Sequence, residues 1–393
     1  MSWDFLILGS SGIQGRITSR GLLEKGYSLF LSDMYREKSD EVIRDFPSRK
    51  TAFQILDVRN SKELLKLIKQ VNPKVVVNCA EGDYNLEVYQ ACLDAEVSVV
   101  DLGSDISPTI KQLELDSNFK SKRIIGITGC GSTPGINNIM LKYAASELDT
   151  LETIEVGFAW DSNRTEFVPP FSIGSIIYEL IFPAPYLEKG LHKEIRFPLG
   201  KSEFRNFRFI GKQECFVVDH PETYTFERSY KKKGIKNIRF YASFPKHSLE
   251  IIKTLINLGL TSEDDVLVEG DRNFVQVSPL DVLTQVLKRI RPSRFYKETE
   301  VLWVTITGKI GEKKIFTKME CVTTTQKKWQ SAGCNIDTGL SAAIIASMIR
   351  EGEIDSYGSF SPEEIVPEES FFKQIGSYGM KVYKNNKLIN SKS

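Results

Sequence analysis

The residues best equipped for chemistry fall into two groups: a glycine-rich turn near the start of the chain, and a set of carboxylates, one histidine and arginines further on. Gly9-Ser10-Ser11-Gly12-Ile13-Gln14-Gly15 has the spacing G-x-x-G-x-x-G. It follows the apolar run Phe5-Leu6-Ile7-Leu8 and opens a helical pattern, the context in which such glycines hold a dinucleotide. Gly9 permits a tight turn, Gly12 lets the backbone approach a pyrophosphate, and Gly15 lets the helix close on the strand. The helix N-terminus adds N–H groups and a partial positive charge. Asp33 ends the next apolar run, where a carboxylate bridges ribose hydroxyls. Its charge favours NAD over the 2′-phosphorylated NADP, and Arg36 three residues on is a compensating cation that keeps NADP open. Asp57-Val58 after the third apolar run either meets the adenine edge or forms the turn before a helix capped by Asn60 or Ser61. Cys79-Ala80 closes the fourth run beside the cofactor, with Cys79 read as a packing residue rather than a nucleophile.

Towards the reactive end, Asp101 closes the fifth run. It is a candidate base or ammonium anchor, the alternative being a cap for the following turn. Gly131, Pro134 and Gly135 lie in Gly129-Cys130-Gly131-Ser132-Thr133-Pro134-Gly135, a turn before a helix. Its N–H groups are candidates to hold a nicotinamide amide or a substrate carboxylate, the alternative being a plain connector. His220 is one of three histidines, with His192 and His247. It sits in His220-Pro221-Glu222 and is a candidate proton shuttle, the alternative being a structural role. Arg205, with Arg208 and Arg239, is a candidate carboxylate clamp. In this scheme the cofactor carries the hydride and the protein supplies position and field.

These groups need elements to hold them. Strand signals at Asp4–Leu8, Ser28–Ser32, Ala52–Leu56, Lys74–Asn78, Val97–Val100 and Arg123–Ile127 alternate with helical patterns at Ile13–Lys25, Ser61–Gln70, Asn85–Asp94 and Ser107–Asp116. Alternation of this kind predicts a doubly wound α/β domain with a parallel sheet covered on both faces. After about Gly126 the texture changes. A helix over Asn137–Glu147 is followed by β-rich stretches at Glu152–Ala159, Gln213–Val218, Lys236–Phe244, Val301–Ile310 and Lys314–Thr323. Helices are expected at Ser248–Leu258, Leu280–Arg289 and Asn335–Glu351, giving an α+β second domain. The tail Asn385–Ser393 is expected to fray.

Composition excludes several classes. Among 393 residues, 52 Lys and Arg face 51 Asp and Glu, so no global field draws in nucleic acid or an acidic membrane. Lys231-Lys232-Lys233 reads as a solvated run. The six cysteines form no C-x-x-C pair, so no metal site is expected; they read as reduced thiols of a cytoplasmic protein. No apolar stretch reaches membrane-spanning length, and Ile173–Ile181 and Leu340–Ile349 read as core segments. The first strand starts too early for a signal peptide to precede it.

Several longer strings resemble the saccharopine dehydrogenase family: LDVRNSKELLKLIKQVNPKVVVNCA, VSVVDLGSD, GCGSTPGINNIM, HPETYTF and GSFSPEEIVPEESFFKQIGSYGM. LINLGLTSEDDVLVEGDRNFVQVSPLDVL is similar to the branch containing L-lysine 6-dehydrogenases. The resemblance implies a Rossmann domain over residues 1–128, completed by about 335–393, with an inserted α+β substrate and dimerisation domain over 129–334. It implies a homodimeric NAD(P)-dependent dehydrogenase acting on a C–N bond of an amino acid, with oxidative deamination of lysine as the leading reading. Reductive condensation, giving saccharopine or carboxynorspermidine, is the enzymatic alternative. A non-catalytic dinucleotide sensor is the alternative of another class.

Overall fold

A computed structural model describes residues 2–165, 167, 176–177, 180–196, 202–269, 274–287, 289–290, 296–329 and 333–391. The first half builds β1 (Trp3–Leu8), α1 (Ile13–Glu24), β2 (Leu29–Asp33), α2 (Glu37–Asp45), β3 (Thr51–Ile55), α3 (Ser61–Val71), β4 (Pro73–Asn78), α4 (Asn85–Ala95), β5 (Ser98–Asp101), α5 (Ile106–Glu114), α6 (Asp116–Lys122), β6 (Ile125–Ile127) and α7 (Ile136–Ala145). The second half comprises β7 (Thr150–Ser162), β8 (Ala184–Glu188), β9 (Leu191–Ile195), β10 (Glu203–Phe207), β11 (Gly211–Val217), α8 (Glu222–Tyr230), β12 (Asn237–Ser243), α9 (Lys246–Asn257), β13 (Val266–Glu269), β14 (Phe274–Val277), α10 (Pro279–Leu287), β15 (Glu298–Ile310) and β16 (Lys313–Thr324). It closes with α11 (Gly333–Glu351), β17 (Gly358–Phe360), α12 (Pro362–Ile365), α13 (Glu368–Ser377), β18 (Lys381–Lys384) and β19 (Lys387–Leu388).

The first sheet is parallel throughout, in the order β17-β6-β5-β4-β1-β2-β3. Its central strands are apolar without alternation because both faces are covered. Along β1, Phe5 and Ile7 pack on one face while Leu6 and Leu8 pack on the other; Val75 and Val77 of β4 oppose Val76 in the same way. The chain reverses its winding between β1 and β4, and that switch point opens a crevice at the carboxyl ends of the strands.

The second sheet is mixed, running β10-β11-β12-β7-β15-β16-β18-β19 with β8 and β9 beside β12. Among the described residues only β7 and β12 run parallel within it. Helix α11 lies between the two sheets and is buried on nearly every side, as a helix apolar all round must be. Small residues allow the close approach: a Cβ on Gly339 would stand 2.7 Å from Ile17, and one on Gly21 would stand 2.9 Å from Leu340.

The α/β expectation holds, and several local readings are corrected. Helices α2 and α6 were not expected; in α2 only Ser39 and Val42 are buried, so it carries almost no apolar stripe. The tail does not fray through residue 391. β18 and β19 extend the second sheet, and the Asn390 side chain bonds Val382 N, Phe372 O and Met380 O. Lys233 is not a purely solvated residue, because its Nζ donates to Ala145 O and Leu148 O. Within Ile173–Ile181, residues 173–175 and 178–179 lie outside those described; Ile176, Ile177 and Leu180 are buried. The cysteines among the described residues form no disulfide, and no helix among those residues is long and apolar enough to cross a membrane.

Candidate active site

The crevice is lined by the residues at the carboxyl end of each central strand of the first sheet. Gly9 succeeds β1, Cys79 succeeds β4, Leu102 succeeds β5 and Thr128 succeeds β6. Gly9 has φ +70°, and a Cβ there would fall 2.6 Å from Cys79 and Ala80 backbone. A Cβ on Gly15 would lie 2.1 Å from Gly9 O, so α1 seats directly on the turn. Gly12 is different: a Cβ would meet only Gly9 O, at 3.3 Å, leaving open space on its outer side. Gly12 also provides no side-chain cap for α1. The first-turn amides of α1 therefore face a cradle that any side chain at position 12 would begin to fill, and the loop fits a dinucleotide phosphate.

The rest of the loop is tied down. Ser10 turns inward, with its Oγ 2.7 Å from Ser39 Oγ, and Ser11 Oγ lies 2.9 Å from the same atom. Asp33 accepts from Ser11 N at 2.9 Å and from Tyr35 N at 3.0 Å, which fixes its carboxylate at the end of β2 beside the loop. Ile13 is half exposed, and Gln14 Nε2 donates to Asn335 Oδ1 of α11. Asp57 pairs with Arg59, Val58 packs against the core, and Asn60 is the cap of α3, accepting from Glu63 N. Cys79 Sγ donates to Thr18 Oγ1, and burial pushes its thiol up to about 12, the behaviour of a packing residue.

Asp101 is fully buried. Its Oδ1 accepts from Gly103 N (2.8 Å), Gly129 N (2.9 Å) and Thr128 Oγ1 (3.3 Å), and its Oδ2 from Gln112 Nε2 (2.6 Å). Burial raises its pKa against the pull of these donors. This is the geometry of the capping alternative: the carboxylate pins the β5 and β6 loops together from behind.

The amides at the end of the Gly129–Gly135 turn and the start of α7 bond locally. Ile136 N donates to Gly131 O, Asn137 N to Ser132 O, and Gly135 N to Asn138 Oδ1. A Cβ on Gly135, at φ +135°, would lie 1.9 Å from Gly131 O. Of the residues expected to offer N–H groups, Gly135 gives its own to Asn138, Gly131 accepts from Ile136, and Pro134 has none. What the turn presents instead is side chains. Ser132 Oγ meets Thr338 Oγ1 of α11 at 3.0 Å, and Thr133 Oγ1 donates to Glu222 Oε1 at 2.7 Å.

That last bond joins the turn to the histidine. Glu222 Oε2 pairs with His220 Nδ1, and the imidazole stacks on Phe240, with centroids 3.8 Å apart and planes 6° apart. Asn137 Nδ2 completes the chain by donating to Thr133 Oγ1 at 3.0 Å. Around this core lie two further carboxylates. Partial burial, opposed by His220, raises Asp219 to about 6. Partial burial and the Asp83 charge raise Asp105. Thr133, Asn137 and Asp219 were not anticipated as site residues; the acid two positions after His220 was the available signal for Glu222.

Arg205 is elsewhere. Its guanidinium bonds Glu155 (2.9 Å) and Glu203 (2.8 Å) and lies over Tyr241 and Trp303. Tyr241 and Phe240 are adjacent in β12 and so point to opposite faces. Arg205 is therefore separated from His220 by the second sheet, which corrects its expected place in the same cleft. A buried acid cluster lies where α11 meets β15. Glu298 accepts from Tyr296 OH (2.7 Å) and Cys334 N (3.1 Å), and burial raises Glu300 and Asp337.

Comparison with known proteins finds two family models along the chain. Residues 5–127 match the model described as the saccharopine dehydrogenase NADP binding domain, and residues 131–380 match the saccharopine dehydrogenase C-terminal domain. A carboxyaminopropylagmatine dehydrogenase of Synechocystis is 23% identical over 95% of this chain and 96% of that protein. A carboxynorspermidine synthase of Vibrio cholerae is 25% identical over 61% of this chain and 59% of that protein. The saccharopine dehydrogenase (L-Glu forming) of Saccharomyces cerevisiae superposes with a TM-score of 0.75 at 13% identity, covering 99% of this chain and 100% of that one.

Proposed function

Because the chain belongs to the saccharopine dehydrogenase family, we propose that it is an NAD(P)-dependent dehydrogenase that joins an amine to a carbonyl compound and reduces the resulting C=N bond. The full-length likeness to a carboxyaminopropylagmatine dehydrogenase supports this reading over deamination of lysine. Bound at the glycine loop, the dinucleotide supplies the hydride. The protein must then gather two substrates, remove water and move protons.

The observation that carries the reading is the chain Asn137–Thr133–Glu222–His220, which spans the seam between the two sheets beside the crevice. Glu222 accepts from His220 Nδ1–H and so leaves Nε2 as the basic nitrogen. In this reading His220 takes a proton from the attacking ammonium and returns one as water leaves. Asp105 and Asp219 give the amine its counter-charge; burial raises both, Asp219 to about 6, which suits it to exchange a proton in mildly acidic to neutral solution. Asp101 acts here as a positioning carboxylate behind the loops. Asp33 favours NAD over NADP, and the chain works as a homodimer. The division proposed is residues 1–128 with about 335–380 against 129–334, with Lys381–Leu388 added to the second part because they pair with β16.

The test is an amine panel that includes lysine, agmatine and diaminopropane, each with and without an aldehyde or 2-oxo acid partner, monitored at the nicotinamide absorbance band. Consumption of reduced cofactor only when amine and carbonyl are both present supports condensation. Reduction of oxidised cofactor by lysine alone refutes it.

A further inference from the structure

The acid cluster where α11 meets β15 takes no part in the chain at His220. Glu298 and Glu300 stand two apart in β15 and so point to the same face of the second sheet. The register sets Thr323 of β16 directly opposite Glu300 on that face. Asp337, near the start of α11, comes down onto it. Each of the three acids is at most 3% exposed.

Their oxygens are not equivalent. Glu298 is occupied by Tyr296 OH and by Cys334 N, the second of which caps the start of α11. Asp337 Oδ1 accepts from Thr338 N at 2.8 Å. Glu300 Oε2 and Asp337 Oδ2 have no hydrogen-bond partner among the described residues, and the two side chains face each other. The ionisable groups acting on the pair are Glu298 of β15, Cys321 of β16 and Cys334 of α11; no Lys, Arg or His is among them. Among the described residues no three Asp, Glu, His or Cys side chains are placed to hold a metal ion. Two carboxylates in contact in a dry site cannot both stay ionised, so the cation between them is a proton.

The part of α11 that carries Asp337 also lines the dinucleotide crevice. Asn335 Oδ1 accepts from Gln14 of the glycine loop at 2.9 Å, Thr338 Oγ1 donates to Ser132 Oγ at 3.0 Å, and Gly339 O accepts from Thr18 at 2.9 Å. We propose that Glu300 and Asp337 share one proton that holds the start of α11 against β15, so that losing it in alkaline solution loosens the dinucleotide crevice. With the proton gone, two negative charges are left in contact, and Asp337 relieves them by moving off β15 with Asn335 and Thr338. Burial raises both acids. The tight arrangement is therefore favoured below the titration of the pair and lost as pH rises through it. By reciprocity, a dinucleotide that binds the tight arrangement draws a proton back onto the pair. The inference needs only a dinucleotide at the glycine loop and is independent of which amine reacts.

The experiment is isothermal titration calorimetry of NADH or NADPH, whichever binds more tightly, into the full-length protein. It is run at pH 7 and pH 9, in two buffers of different ionisation heat at each pH. The expected dissociation constant rises by about tenfold over that range, with net proton uptake on binding at pH 9. Glu300→Gln offers Asp337 an amide N–H in place of the shared proton. It should keep the constant within twofold across the range and abolish the uptake, with far-ultraviolet circular dichroism unchanged. If that variant does not fold, Asp337→Asn gives the same comparison, and the wild-type proton uptake decides without any variant. A wild-type affinity that is flat between the two pH values, or binding at pH 9 without proton uptake, overturns the proposal. So does a folded Glu300→Gln protein that keeps the full pH dependence.

Discussion

Replacing Glu222 by Gln tests the proton chemistry with almost no change in shape. Gln keeps an oxygen for the Thr133 hydroxyl but presents an amide N–H₂ to His220 where the carboxylate accepted. The ring must then take the other tautomer, with its lone pair on Nδ1, and Nε2 loses its basic role. The charge is lost as well. A carboxylate and an imidazolium with centres about 4 Å apart interact by ~4 kcal/mol at an effective dielectric of ~20. That energy is needed only while His220 is protonated; in the proposed reading, with that proton transfer limiting turnover, ~4 kcal/mol is about 10³-fold in rate. Steady-state kinetics should show kcat reduced by about that factor. Dinucleotide affinity, measured by quenching of intrinsic fluorescence, should stay within twofold. The acidic limb of the kcat/KM profile should move to lower pH. An E222Q enzyme with kcat within fivefold of wild type and an unmoved limb would refute the assignment of His220 as the proton carrier.

The same geometry has other testable outcomes. Asp33→Ser should raise the NADP-to-NAD ratio of kcat/KM by tenfold or more, and should weaken both cofactors because Ser11 N loses its acceptor; an unchanged ratio in cofactor titrations removes Asp33 from the ribose site. Asp101→Asn should lower the unfolding free energy by about 1–3 kcal/mol in urea titrations, since it puts an amide among buried donors; full stability with abolished turnover would return Asp101 to the chemistry. Glu363, held by Asn138 and Ser229, is raised by burial from 4.5 to about 7. Its folded pKa exceeds its unfolded one, so no penalty exists below about pH 4.5, and one builds as pH rises to 7. Glu363→Gln should therefore gain up to ~3 kcal/mol relative to wild type at pH 8 and nothing at pH 4.5, by urea titration at both values. A pH-independent difference would show that Glu363 is already ionised in the fold.

How much was legible depended on how local the information was. The glycine loop could be read because every constraint on it lies within a few residues or on the next strand. The Thr133–Glu222 bond joins positions 89 residues apart, and no spacing encodes it. Arg205 shows a different limit. Guanidinium chemistry suggested a clamp, but its face is set by the pairing of β10 with β11, and a slip of one residue would have reversed it. Asp101 was correctly placed at the end of a strand; whether its oxygens were free or occupied was decided by Gln112 and Thr128, whose contribution no periodicity reveals. The turn at Gly131–Gly135 was legible from its glycines and proline, but that Gly135 N and the first amides of α7 bond back locally depends on how the turn closes.

The pairing of α1 with α11 has a consequence for how the chain is made. Gln14 and Thr18 find their partners Asn335 and Gly339 321 positions later. At a synthesis rate of about 5–20 residues per second, the apolar side of the first sheet waits on the order of ten seconds to a minute for its cover. During that interval Phe5, Ile7, Val75 and Val77 belong to a nascent layer with one side open. Folding of the cofactor-binding half is thus coupled to the synthesis of α11 rather than to its own emergence from the ribosome.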